Sequence, residues 1–438
     1  MAAERKPSAA LTSPGYLVPF ITVTALFFIF GFITNLNMAL VPHLKAIFTL
    51  PYAWAMLAES AFFLAYFVFA SPTSKLIETI GYKRTMVVSL FIQVVGCLLF
   101  IPAASLVSFP LFLTAVFIVG AGVTALQTSA NPYVSILGPE NTASIRLNLA
   151  QALNSLGGTL APIVAGAYIL TDPAKVASQA AVADTVRMPY LLIAAGLLLL
   201  GLAVAFMRLP HVEQTQQFRP AKAGDPIMSR SIWGYKHTVL GAVGIFLYVG
   251  VEVGLASIAV NYFKTQGMST ASTASYLVSL YWFGALVGRL LGAGIMTKVK
   301  AGKLLGIFGI TAAVLITLSM FTNGQVAIGA LVLCGFFNSV MFPNIFTLGI
   351  AGLGPMTSKG SGLIMTAVVG GAVVPWLIGE VADKVGKHYA NIHQLQYLPG
   401  GLADKVGIQT SFVIPIFCYL FIAYYGLWGS KPTRTIAA

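Results

Sequence analysis

The sequence predicts an all-α membrane protein, twelve transmembrane helices arranged as two six-helix bundles that repeat one another in the same orientation. Three observations carry this. Of 438 residues, 58% are hydrophobic and only 8% are charged, too few charges to coat a soluble globule of this size. Uninterrupted apolar stretches of roughly 20 residues, the length a helix needs to cross a hydrocarbon core of about 30 Å, recur along the whole chain. A pattern of glycines and proline in the first half returns in the second.

Lipid offers backbone amides no partner, so each apolar stretch is expected to be a helix. In the first half these are 17–43, 52–77, 84–103, 109–133, 146–170 and 189–208. The first follows a polar segment and is long enough to stay in the bilayer. Polar "SKLIETIGYKRT" (74–85) separates the second from the third, and Gly138-Pro139 separates the fourth from the fifth. The second half supplies 238–263, 272–297, 303–321, 326–350, 360–382 and 408–430. Between the halves, residues 209–237 hold Pro210, Pro220, Gly224, Pro226 and many charges, the composition of a linker. The expected division is therefore 1–208, a linker at 209–237, and 238–438.

The repeat supports that division. "NSLGGTLAPIVAGAYI" (154–169) and "AVVGGAVVPWLIGEVA" (367–382) match at Gly157 and Gly370, Gly158 and Gly371, Pro162 and Pro375, and Gly166 and Gly379, each pair 213 residues apart. An even number of spans per half gives both copies the same orientation, the parallel kind of transporter repeat.

The formal charge of +13 does not point to nucleic acid. Seventeen Lys and Arg fall on the side that carries the termini and seven on the other, with Arg289 inside a span. That bias places both termini in the cytoplasm. Cys97, Cys334 and Cys418 all lie within spans and are odd in number, which argues for small packing residues over disulfides.

Polar side chains inside spans must face a bundle interior or an aqueous cavity, because an unpaired amide in hydrocarbon costs several kcal/mol. The first span carries Asn35 and Asn37. The fourth shows Gln127 and Asn131 at i and i+4, and the fifth displays Asn148, Gln151, Asn154 and Ser155 as a stripe. In the second half Asn338 and Asn344 lie in the tenth span, and Tyr281-Trp282 lies midway along the eighth. Carboxamides donate and accept at once, and rings cover the apolar face of a pyranose, so the combination suits a neutral polyol. Single amides of this kind also serve as glue between helices.

Three acids sit within spans. Glu252 is the deepest and Glu59 is nearer a boundary; both are candidates for carrying a coupling ion. Glu380, beside Asp383, is expected to be solvated or to gate. Arg289 is expected to pair with one of these acids or with carbonyls. The chain has no P-loop and no metal-spaced Cys or His cluster, and its five histidines lie at or beyond span ends, so an enzyme is not expected. No cofactor is expected beyond the coupling ion.

The stretches "LFFIFGFITNLNMALVPHLKAIF", "TALQTSANPYVSILGPENTASIRLNLAQALNSLGGTLAP", "GVEVGLASIAVNYF" and "FPNIFTLGIAGLGP" resemble the fucose/glucose/galactose symporter family of the major facilitator superfamily. The similarity covers nearly the whole chain. It implies the major facilitator fold and a bacterial inner-membrane carrier, a monomer in the bilayer, that takes up a monosaccharide with protons or sodium. Ligands for a sodium ion are not assigned. In the fucose permease pattern the first span reads Asn-Leu-Asn-Asp and the fourth Leu-Glu-Thr; here those acids are replaced by Met38 and Gln127. Asn35, Gln151 and Asn154 match polar pathway positions, and Glu59 stands where relatives carry Gln. Coupling is therefore expected to rest on Glu252 or Glu59, with a sugar uniporter or an exporter of the same fold as alternatives.

Overall fold

The computed structural model describes residues 10–48, 57–168, 187–207, 231–267, 271–398 and 401–432. The expected helices are present within those limits. The first span is Leu17–Phe48, the fourth Phe109–Ile136, the fifth Ala143–Tyr168, the sixth Arg187–Phe206, the seventh Lys236–Thr265, the eighth Ala271–Ile295 and the ninth Ala301–Phe321. Ten described helices are long and apolar enough to cross a membrane. One of them, Ser60–Ser105, contains the second and third spans. The fifth span adds another crossing although its amides dilute its apolar character, so the described residues supply the twelve crossings expected.

The second and third spans abut more closely than the polar loop suggested. They form one continuous run, Leu57–Ser105, broken only at Gly81, whose φ of 81° and ψ of 167° reverse the chain at a single residue. That conformation is open to glycine and strained for other residues, which is why the polar stretch needs no longer loop. The tenth span is Gly324–Asn338 and Met341–Ile350 with a break between them. The eleventh runs Thr357–Thr366, a 3-10 turn at Ala367–Val369, then Gly370–Ile392. It outlasts the expected end at 382 because Asp383, Lys384, Lys387 and His388 continue it as an exposed polar helix. Pairs at i and i+4 support that extension, Lys384 to Glu380 at 3.0 Å and Lys387 to Asp383 at 3.7 Å. Glu380 is thus in a solvated ion pair. The twelfth span is Leu402–Ser411 and Val413–Tyr424, ending in a π-turn at Tyr425–Gly429.

Large apolar side chains remain exposed on the outer faces, among them Leu199 at 68%, Val314 at 60% and Phe417 at 68%. In a soluble protein such a belt would aggregate; here it is the lipid face.

The packing repeats between halves. The first span packs on the fifth and the seventh on the eleventh; the third packs on the sixth and the ninth on the twelfth. The repeat glycines are the contact points. A Cβ on Gly157 would overlap the Phe28 carbonyl, and one on Gly370 would overlap the Phe246 carbonyl, so only hydrogen lets the two backbones touch. The two bundles meet along two seams, second span with eleventh and fifth with eighth. Of the expected linker, residues 209–230 lie outside the described residues, and the rest is a 3-10 turn at Ile232–Gly234 leading into the seventh span.

Candidate sugar and ion site between the bundles

We call the side on which the first helix begins the terminal side. Among the described residues, the hydrogen bonds that join the bundles lie in the terminal half of the spans. Nearest the terminal end, Glu78 accepts from Ser358 Oγ at 3.1 Å and Glu140 accepts from the Gly352 amide at 3.0 Å. Deeper in, Ser144 and Thr347 share a hydrogen bond at 2.6 Å, and Asn148 Nδ2 donates to Asn344 Oδ1 at 2.9 Å. Ser361 donates to the Thr128 carbonyl at 2.8 Å, and Asn131 Nδ2 lies 3.5 Å from Met365 Sδ. The terminal side is shut.

Asn131, Asn148 and Asn344 are therefore sealed in the closed layer, each 0% exposed. Asn131 Oδ1 and Asn148 Oδ1 are buried with no hydrogen-bond partner among the described residues. Leaving an acceptor dry and unpaired costs about 1–3 kcal/mol, so the seal is held only modestly.

A second layer lies one to three turns further in. In the first bundle, Gln127 Nε2 donates to Tyr66 Oη at 2.7 Å, and the Tyr66 ring stacks near Phe63. Asn35 is half-buried, donates to the Gly31 carbonyl at 2.9 Å, and packs against Gly158, where any Cβ would strike its amide. Gln151 is 4% exposed and Asn154 half-buried. In the second bundle, Tyr248 Oη donates to Glu252 Oε1 at 2.6 Å, and Arg289 Nη2 lies 3.9 Å from the same oxygen. Asn338 Nδ2 donates to Tyr281 Oη at 2.6 Å. Trp282 is half-buried, with its ring perpendicular to that of Tyr281.

One side chain joins the two halves of this layer. Arg289 donates from Nη1 to the Gln151 carbonyl at 3.0 Å and to Ser155 Oγ, both on the fifth span, and from Nε to the Ser339 carbonyl at 3.2 Å. Arg289 was expected to pair with an acid or with carbonyls, and the geometry shows both.

Of the expected site residues, Asn35, Gln127, Gln151, Asn154, Tyr281, Trp282, Asn338 and Glu252 stand in the middle layer, and Asn131 and Asn344 in the seal. The side chains of Asn37 and Glu59 lie outside the described residues. Tyr66 and Tyr248 complete the arrangement, together with Ser155 of the polar stripe and the arginine Arg289. Tyr248 was findable, since it sits at i−4 from Glu252 on one helix face; the Tyr66 pairing spans 61 residues and has no local signal.

Such a layer presents carboxamide donors and acceptors, phenols and a half-buried indole around the carboxylate of Glu252 with its counter-ion. It can hydrogen-bond an uncharged polar solute, and the carboxylate can change charge.

Residues 22–376 match the family model for the Major Facilitator Superfamily. The chain is 43% identical over 413 residues to a glucose/galactose transporter of Brucella abortus, covering 94% of this chain and 93% of the relative. It is 31% identical over 437 residues to the L-fucose-proton symporter of Escherichia coli, covering 96% and 94%. A crystal structure of the transporter FucP in the outward conformation superimposes with a TM-score of 0.81 at 29% identity, covering 95% of this chain and 99% of that one. The proton:xylose symporter XylE, at 15% identity and a TM-score of 0.68, shares the fold. On fold, family model and identity together, the chain belongs to the major facilitator superfamily and, within it, to the group of glucose/galactose transporters and L-fucose-proton symporters.

Proposed function

We propose that the protein is a secondary active transporter of a monosaccharide, moved by alternating access and coupled to an ion, with Asn35, Gln127, Gln151, Asn154 and the rings of Tyr281 and Trp282 facing the sugar. The observation that carries this reading is the middle layer itself, amides and aromatics around the Glu252 carboxylate, directly above a seal made of polar contacts that are partly unsatisfied. A seal of that kind opens at modest cost, as alternating access requires. Once open, Asn131, Asn148 and Asn344 would be wetted and would line the exit path. Glucose, galactose, fucose, mannose and N-acetylglucosamine fit the class.

Glu252 is the coupling group in this reading. Its carboxylate is nearly surrounded by protein and already faces a guanidinium, so a proton can join it by displacing that pairing, whereas a sodium ion would sit against a fixed positive charge. The terminal side is the cytoplasm of a bacterium, the membrane is its inner one, and the working unit is a monomer with bundles at 1–208 and 238–438 joined by 209–237.

The test is uptake by proteoliposomes of labelled sugars, one at a time, under an imposed proton or sodium gradient. Uphill accumulation of at least one monosaccharide driven by a proton gradient is expected. With Glu252→Gln, exchange of sugar across the membrane persists and uphill accumulation is lost. Accumulation that survives this substitution removes Glu252 from the coupling role. The replacement of the family acids by Met38 and Gln127 favours a second reading, sugar uniport, in which no gradient drives accumulation even in the native protein.

A further inference from the structure

Arg289 is 6% exposed and sits six residues from the terminal end of the eighth span. Its guanidinium holds the other bundle through Gln151 and Ser155, its own bundle through Ser339, and faces Glu252. Among the described residues, Glu252 is the carboxylate that balances its charge. The groups facing that carboxylate are Tyr248 on its own helix, Arg289 and Tyr281 from the eighth span, and, one step further through Tyr281 and Asn338, Cys334 of the tenth and Tyr419 of the twelfth. Phenols and thiols are uncharged near neutral pH, so the charge balance rests on the one acid and the one base.

The repeat-related seam lacks this device. Where the second span meets the eleventh at similar depth, Ser71 and Thr366 share a hydroxyl contact at 3.4 Å and Ser74 packs on Gly362, all neutral. Among the described residues, the buried cation at a seam is Arg289, in the fifth-to-eighth one.

We propose that Arg289 is the positioning residue that converts the charge state of Glu252 into the position of the fifth span. With Glu252 ionised, the arginine stays seated and the terminal side stays shut. Neutralising Glu252 leaves a buried cation held only by carbonyls and a hydroxyl, a strongly unfavourable state. The guanidinium then reaches for water at the nearby terminal end, lets go of Gln151 and Ser155, and frees the seam to part. This inference rests on the reading of Glu252 as the coupling group and adds how its charge is transmitted.

Spin labels at Asn141→Cys and Lys298→Cys, which line one recess of about 450 Å³ between the bundles on the terminal side, measure the opening directly. Cys97, Cys334 and Cys418 are replaced by Ala, and distances are read in liposomes without sugar. Glu252→Gln is expected to raise the ratio of long to short distances at least about tenfold, since stranding one partner of a buried ion pair is strongly unfavourable. Arg289→Gln should do the same, and the two together no more than either alone. Ser155→Ala, which removes one acceptor and leaves the charges in place, should shift the ratio in the same direction by less.

The proposal is overturned if Glu252→Gln leaves the distances unchanged, or shifts them as far in the Arg289→Gln background as in the native one. Should Arg289→Gln not fold, Ser155→Ala combined with Glu252→Gln decides: a combined shift no larger than that of Glu252→Gln alone supports the relay, and fully additive shifts overturn it. Uptake of labelled D-glucose and D-galactose is read separately. Distances that respond in a protein that moves no sugar sink the transport reading and leave the relay standing; uptake with unresponsive distances sinks the relay alone.

Discussion

Asn148 of the fifth span donates to Asn344 of the tenth across the bundle boundary at 2.9 Å, while the same Nδ2 also donates to the Ser144 carbonyl and Asn148 Oδ1 has no partner among the described residues. The pair belongs to the seal and is only half-satisfied. Asn148→Val and Asn344→Val are each expected to raise the terminal-open population about threefold, near the 0.6 kcal/mol typical of a hydrogen bond between membrane helices. The double substitution should open the protein no further than one of them. Distance measurements between labels at positions 141 and 298 check this, and fully additive shifts would show that the two amides do not act on each other.

The glycine contacts of the repeat give a stability prediction with internal controls. Gly157→Ala and Gly370→Ala force a methyl into a neighbouring backbone carbonyl, whereas Gly196 and Gly329 face open space. Overpacking of this kind costs about 1–3 kcal/mol. The first two variants should melt well below the native protein in detergent. Gly196→Ala and Gly329→Ala should melt at or above it, since alanine is the better helix former. Equal melting of all four would mean that the first and fifth helices, and the seventh and eleventh, are not pressed together at these glycines.

In the proposed site Gln127 and Tyr66 act on the substrate as a pair. Tyr66→Phe removes the acceptor that orients Gln127 Nε2. Loss of one such interaction, worth about 1 kcal/mol, corresponds to a KM for the transported sugar raised about fivefold. Gln127→Ala should raise it at least as much. A KM unchanged in both variants would place the sugar elsewhere.

Arg146 offers a purely structural test. Fully buried, it donates to the carbonyls of Val134, Leu11, Ser135, Gly138 and Pro139 and to Thr142 Oγ1, tying the segment before the first span to the turn between the fourth and fifth. A lysine has one nitrogen where arginine has a planar fork, so Arg146→Lys strands several of these acceptors. A loss of about 2–4 kcal/mol is expected, given about 1–3 kcal/mol for each buried acceptor left unpaired. It should appear as a lower melting temperature and faster proteolysis around residues 10–16. Protease sensitivity equal to that of the native protein would show that the segment is held by other contacts.

The fold was readable because the bilayer imposes a length and an all-helical rule, and both leave marks on a single line of residues. The kink at Gly81 shows the limit of that reading. A polar stretch looks like a loop whether the chain wanders or turns on one glycine, and only φ and ψ tell the two apart. The amides were legible as a class, because a polar side chain in hydrocarbon needs a reason. Their division was not. Asn131 and Gln127 lie one turn apart on the same helix, yet one is sealed against Met365 and the other is held by Tyr66.

The residues alone determined that the chain is built of membrane-spanning helices, that its halves repeat, and that carboxamides recur along those helices where hydrocarbon would not tolerate them. These follow from composition and periodicity, which report how each helix divides between lipid and protein. Tertiary structure decided which side is shut, which amides meet across the boundary, and that Arg289 joins Glu252 to a fifth span 138 residues away in sequence. Such pairings depend on which helices become neighbours, and a helix's own pattern of polar and apolar residues does not name its neighbour.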